Sequence, residues 1–211
     1  MTMSIPTQTP AAPSPAAARS IGLASIATAI AGLGYAVSFV ILKDALLSAL
    51  FLLLGGVLAT PVLVAVRERL RETAPVASSW AILLALAGAL GSAVHGGYDL
   101  ANVVHPPAAA NVDLPNPVDP RGLLTFGLAG VALVVLGLLI ARTAALPRWL
   151  GYLACLNGAL LVLLYLGRLL ILDPANLLIV IPALLTGFLL NPLWYGWLGV
   201  WFLRARGGPR T

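Results

Sequence analysis

Six long apolar runs decide what this chain can fold into. They are Ile21–Leu42, Ala45–Val66, Trp80–Val104, Gly122–Ala144, Trp149–Leu172 and Ala175–Leu203. Each reaches the roughly 20 residues a helix needs to cross a hydrocarbon layer about 30 Å thick. The chain is 60% hydrophobic and 9% charged, with a mean hydropathy of +1.00, whereas a soluble domain carries about 25% charge. So few polar residues cannot cover a water-soluble fold of 211 residues. In lipid the backbone must satisfy its own hydrogen bonds, which leaves helices or closed barrels. Barrel strands alternate apolar and polar residues over about ten positions, and these runs do not alternate. The expected fold is all-α: a six-helix transmembrane bundle within residues 19–206, with the lipid bilayer as its principal partner.

The basic residues set the expected orientation. Arg19, Arg67, Arg69, Arg71, Arg142, Arg148, Arg204, Arg206 and Arg210 lie in one set of flanking segments, against Lys43, Arg121 and Arg168 in the other. Nine against three places both termini in the cytoplasm by the positive-inside rule. Trp80, Trp149, Trp194, Trp197 and Trp201 fall toward the same side and read as an interfacial belt. The net charge of +5 is thus a topology signal; no basic patch interleaved with aromatics suggests nucleic acid. Residues 1–18, rich in Ala, Pro, Ser and Thr, read as a disordered cytoplasmic tail. The tail is not basic and the run after it exceeds a signal-peptide core, so that run reads as the first membrane helix. The segment 105–121 holds Pro106, Pro107, Pro115, Pro117 and Pro120. It reads as a stiff, extended extracytoplasmic loop, either a plain linker or a lid. Pro61 is expected to bend the second span, and Pro182 and Pro192 to kink or extend the overlong sixth. The single Cys155 reads as a small core hydrophobe.

The chemistry concentrates on the third span. His95, Tyr98, Asp99 and Asn102 recur at i, i+3, i+4 and i+7 and so share one helix face. His105 continues that face one turn further out, and Gly88, Ser92 and Gly96 form a ladder that admits a close neighbour. At about 1.5 Å per residue, Asp99 lies roughly 8 Å and His95 roughly 13 Å inside the boundary. A central ionised Asp costs about 2.5–3.5 kcal/mol on insertion scales, so Asp99 calls for a partner. His95 is one; Arg168 on the fifth span, with Tyr165 three residues before it, is another, unless Arg168 snorkels to headgroups. Asn157 and Asn191 read as interhelical hydrogen-bond formers.

These residue types point to a ligand-binding pocket lined by His95, Tyr98, Asp99, Asn102, Tyr165 and Arg168, for binding or transport of a small or lipid-like molecule with a proton-linked Asp–His pair. The alternatives are a small intramembrane enzyme using Asp99, tuned by His95, as general acid on a lipid or isoprenoid, and a structural accessory subunit. No cofactor or metal is expected. The two histidines share one helix about 15 Å apart, unsuited to two axial haem ligands, and His95 with Asp99 lacks a third strong metal ligand. The oligomeric state is left open.

Two further stretches carry a resemblance. Leu146-Pro147-Arg148-Trp149-Leu150-Gly151, before a span, and Asn191-Pro192-Leu193-Trp194-Tyr195-Gly196-Trp197-Leu198-Gly199, near the end of the last one, resemble a turn and a closing motif of bacterial multi-pass membrane families without an assigned activity. The resemblance covers about the last third of the chain. It implies a bacterial inner membrane and nothing about chemistry.

Overall fold

A computed structural model describes residues 15–106, 119–143 and 145–204. Its six membrane-length helices are α1 (Ala16–Leu42), α2 (Ala45–Leu70), α3 (Pro75–Val104), α4 (Leu123–Arg142), α5 (Arg148–Leu170) and α6 (Leu177–Arg204). All six expected spans are present, and the differences lie at their ends. Helix starts at Pro15, within the segment read as a tail, because proline suits the first helical position and Ala16–Ala17–Ala18 propagate it. The tail before it and most of the proline-rich loop, including any lid it would form, lie outside the described residues. Helix α2 runs on past Val66 through Arg67 and Arg69. These charges extend the rod beyond its apolar stretch, where Arg67 and Arg71 both bridge to Glu68 (2.7 and 2.8 Å).

The helices run antiparallel in sequence, so the bundle has two ends. One, the arginine end, gathers Arg67–Arg71, Arg142, Arg148 and Arg204; the other gathers the junctions α1–α2, α3–α4 and α5–α6. The packed core sits in the arginine half. Val62, Val66 and Leu70 of α2, Leu136 and Ile140 of α4, Leu150 of α5, and Trp194 and Leu198 of α6 are all fully buried there. Trp194 corrects the belt expectation: it is 0% exposed, and its indole N–H donates to the Leu150 carbonyl at 3.2 Å. An indole inside an apolar bundle needs such an acceptor. Trp80, Trp149 and Trp197 remain half-exposed, and Arg69 stacks on Trp201 at 5.3 Å.

Without a hydrophobic force between helices in lipid, close packing must hold them. The backbones of α4 and α5 meet at Gly130 with Gly158 and at Gly137 with Gly151. A methyl group on any of the four would fall within 2.8 Å of the partner's carbonyl oxygen. The Gly88–Ser92–Gly96 ladder serves two neighbours rather than one: Gly88 abuts Ala129 of α4, and Gly96 abuts Ala49 and Leu53 of α2. Asn157 donates to Asn191 at 3.4 Å, joining α5 to α6 as expected. The Cys155 thiol lies against the Val134 carbonyl at 3.6 Å.

The other half is looser. Among the described residues, three π-helical stretches occur there or just below it: Val37–Leu42 in α1, Leu123–Leu128 in α4 and Leu185–Leu190 in α6. Such bulges widen a helix and recur at functional sites. The one in α6 follows Pro182, which removes a backbone donor, and Thr186 donates to the Pro182 carbonyl at 2.7 Å. Helix α2 passes through Pro61 unbroken; Thr60 donates to the Val57 carbonyl at 2.8 Å, which that proline leaves without its usual donor. Helix α1 packs closely on the second half of α6, with Gly22 against Gly199 and Ser25 donating to the Tyr195 carbonyl at 2.6 Å. Toward Leu177–Leu184 the two helices part, and that stretch packs on α5 instead.

Candidate functional site

The last turns of α3 and the approach to α4 build a four-residue charge cluster. Asp119, Pro120 and Arg121 form the turn into α4, where the Asp119 carboxylate accepts from the Arg121 backbone N–H at 2.9 Å. The Arg121 guanidinium folds back onto the same carboxylate, with Nε at 2.9 Å and Nη2 at 2.6 Å. Its remaining arm, Nη1, donates to Asp99 Oδ1 on α3 at 3.0 Å. One guanidinium thus ties the start of α4 to the end of α3. His95 Nε2 stands 3.5 Å from Asp99 Oδ2 and 3.7 Å from Asp119 Oδ2, within reach of both carboxylates. Its other nitrogen, Nδ1, is buried and has no hydrogen-bond partner among the described residues.

Burial of Asp119 works to raise its pKa. The hydrogen bonds and charge of Arg121, aided by His95, outweigh that and hold the carboxyl below its ordinary value. Arg121 is held above its own ordinary value, first by its hydrogen bonds to Asp119.

This cluster forms one wall of a chamber of about 760 Å³ at the junction end of the bundle. His95, Asp99 and Asn102 line it from α3, and Tyr165 and Arg168 from α5. Tyr35 and Phe39 of α1, with Lys43 just beyond its end, also line it. Lys43 adopts a left-handed conformation (φ 52°) that ends α1, and Asp44 caps α2 by accepting from the Leu47 N–H at 2.9 Å. A non-glycine residue in that region carries strain. Beneath lies a second cavity of about 440 Å³, lined mostly by apolar groups such as Phe51, Leu52, Leu133, Leu161, Ala183 and Phe188, with Thr28, Ser92, Thr186 and Asn191 among them. The two share Tyr35, Phe39, Phe126, Arg168, Pro174 and Ile179, so the polar chamber grades into the apolar one.

Five of the six expected pocket residues therefore face one chamber, and Tyr98 does not. Its ring is 53% exposed and lies under the Arg121 guanidinium at 4.4 Å, a cation–π platform that helps hold the arginine. On the helical wheel Tyr98 stands about 60° to one side of His95, which puts it on the flank where the loop returns. The anticipated Asp99–Arg168 pair is absent too: Arg121 occupies Asp99 instead. Arg168 has neither a carboxylate nor a hydrogen-bond partner among the described residues, although it lines the chamber with Tyr35 and His95. His105 caps the end of α3 and is exposed, outside the chamber.

Sequence reasoning missed Asp119, Arg121, Tyr35 and Lys43. In the sequence Arg121 reads as a topology residue of the outer loop, and nothing local signals its return to α3. Tyr35 was legible only as one polar group near the end of an apolar span.

The helices and their apolar exteriors define a multi-pass membrane protein. No family model, curated protein or solved structure matches the chain, so the geometry of the chamber carries the functional reading.

Proposed function

We propose that this chain binds or carries a small amphiphilic, lipid-like molecule in a bacterial cytoplasmic membrane, with its arginine end in the cytoplasm and its chamber facing outward. The positive-inside count supports that orientation. The observation that carries the ligand class is the gradation from a polar chamber of about 760 Å³ into an apolar one of about 440 Å³. Both volumes suit small-molecule sites, which span about 300–1,000 Å³. A polar head and an apolar chain would each find a matching environment. The hollow half also contrasts with the close-packed arginine half, as expected if the space is used rather than merely unfilled.

His95 between two carboxylates supports a proton-linked cycle, since its Nε2 stands within 3.7 Å of both and a proton can pass between it and either one. The enzymatic alternative asks Asp99 to offer a proton to an apolar substrate. Its Oδ1 is occupied by Arg121 and its Oδ2 faces His95, an arrangement that favours binding.

Two outcomes test this. Ala183→Phe fills the apolar cavity from α6 and should weaken binding of a fluorescent single-chain amphiphile by more than about tenfold, roughly the loss of two buried methylenes. Unchanged affinity in titrations of the purified protein would remove the apolar cavity from the site. Asp99→Asn should leave that affinity within about threefold and abolish the response of amphiphile uptake to an imposed proton gradient in proteoliposomes. A full response in the variant would rule Asp99 out of proton coupling.

A further inference from the structure

Building on the amphiphile reading, we infer that the head of the ligand is anionic and is held by Arg168 with Tyr35 and Lys43, while its chain enters the apolar cavity through the gap between α1 and α6. Each carboxylate lining the chamber can be followed to its partner. The Asp99 and Asp119 carboxylates are engaged by the guanidinium of Arg121. Asp44 spends its carboxylate on the first turn of α2. That leaves the cations. Arg168 and Lys43 line the chamber without a carboxylate partner among the described residues, and the Tyr35 hydroxyl has no hydrogen-bond partner there. An acidic head would accept from all three, and a guanidinium is the side chain best suited to grip a carboxylate or phosphate in a forked geometry.

Arg168 and Tyr35 also line the apolar cavity, so the anion site stands where the two spaces meet. That cavity reaches the bundle's exterior beside Phe39 and Val40 of α1 and Leu184 of α6, all at least 39% exposed. These residues border the stretch where α1 no longer packs on α6. A chain could therefore pass sideways from the bilayer while its head stays at the level of Arg168. Snorkelling of Arg168 to bulk headgroups draws on the same charge, but would need neither the Tyr35 hydroxyl nor a cavity behind it.

The test uses the full-length protein in neutral detergent with three photoreactive single-chain probes that differ only in the head: a fatty acid, the matching alcohol and the matching amine. The acid should label residues of the apolar cavity at least about tenfold more tightly than the alcohol, the worth of one good charge-assisted contact. Arg168→Gln should bring the acid down to the alcohol, and Arg168→Lys should recover part of the difference. Arg168 is exposed, so neither variant threatens the fold, and elution as a monodisperse species checks this. Equal labelling by all three heads, preference for the amine, or indifference to Arg168→Gln would overturn the anionic assignment while leaving an amphiphile site in place. Absence of cavity labelling by every probe would overturn both readings. Inorganic phosphate provides the last arm. If it competes only weakly, the chain is part of recognition; if it binds as tightly as the acid probe, the ligand is a soluble anion and the inference fails.

Discussion

Gly158→Leu is expected to cost more than about 3 kcal/mol and to prevent α4 and α5 from docking. A methyl group at Gly158 already falls 2.5 Å from the Gly130 carbonyl oxygen and 2.7 Å from the Val134 amide nitrogen. Both obstacles are backbone, so no rotamer change relieves the clash and the helices must move apart. Separation loses the packing that substitutes for hydrophobic attraction in lipid, and strains a contact that admits little overpacking. Chemical denaturation in detergent should show the loss, with a smaller one for Gly158→Ala. Gly97→Ala is the control: its added methyl meets only the end of Leu53 at 3.6 Å, an ordinary contact. Since alanine suits a helix interior better than glycine by about 0.5–1 kcal/mol, this variant should be neutral or slightly more stable. A Gly158→Leu protein as stable as the parent would mean the glycine pairs do not hold the bundle.

Arg121→Ala is expected to give the second-largest loss, about 1–3 kcal/mol, by leaving Asp99 and Asp119 side by side without a cation. Breaking a fully buried pair costs about 3–5 kcal/mol; these groups are 27–40% exposed, so water takes part of that cost. Arg121→Lys should recover less than half, because an ammonium cannot span both carboxylates and stack on Tyr98. A double-mutant cycle of Arg121→Ala with Asp119→Ala should show coupling above about 1 kcal/mol. The pH dependence follows from Asp119. Its folded carboxyl is held below its ordinary value, so its contribution is complete above the ordinary carboxylate pKa and lost as pH falls through the depressed one. The gap between wild type and Arg121→Ala should therefore be full at neutral pH and narrow in acid. A gap that widens on acidification would contradict the assigned pairing.

The helix count and the α3 stripe were legible because both are local. A helix advances about 1.5 Å and turns about 100° per residue whatever surrounds it, so His95, Asp99 and Asn102 had to share a face. The glycine pairs of α4 and α5 escaped the sequence reading, because nothing within either segment indicates that the two helices are partners. Trp194 looked like its interfacial neighbours, although one turn of depth and a carbonyl on α5 put it in the core.

By itself, then, the sequence determined that six helices are long and apolar enough to cross a membrane and that the polar chemistry lies near one end of the third. Apolar length and helical period are properties of a single segment. Which cation Asp99 meets, which cations stay unpaired, and whether a cavity joins them depend on the neighbours that close packing selects and on the path of the chain into α4. Only the tertiary structure decided these. It brought Arg121 back across 22 residues to Asp99 and left Arg168 facing the open chamber.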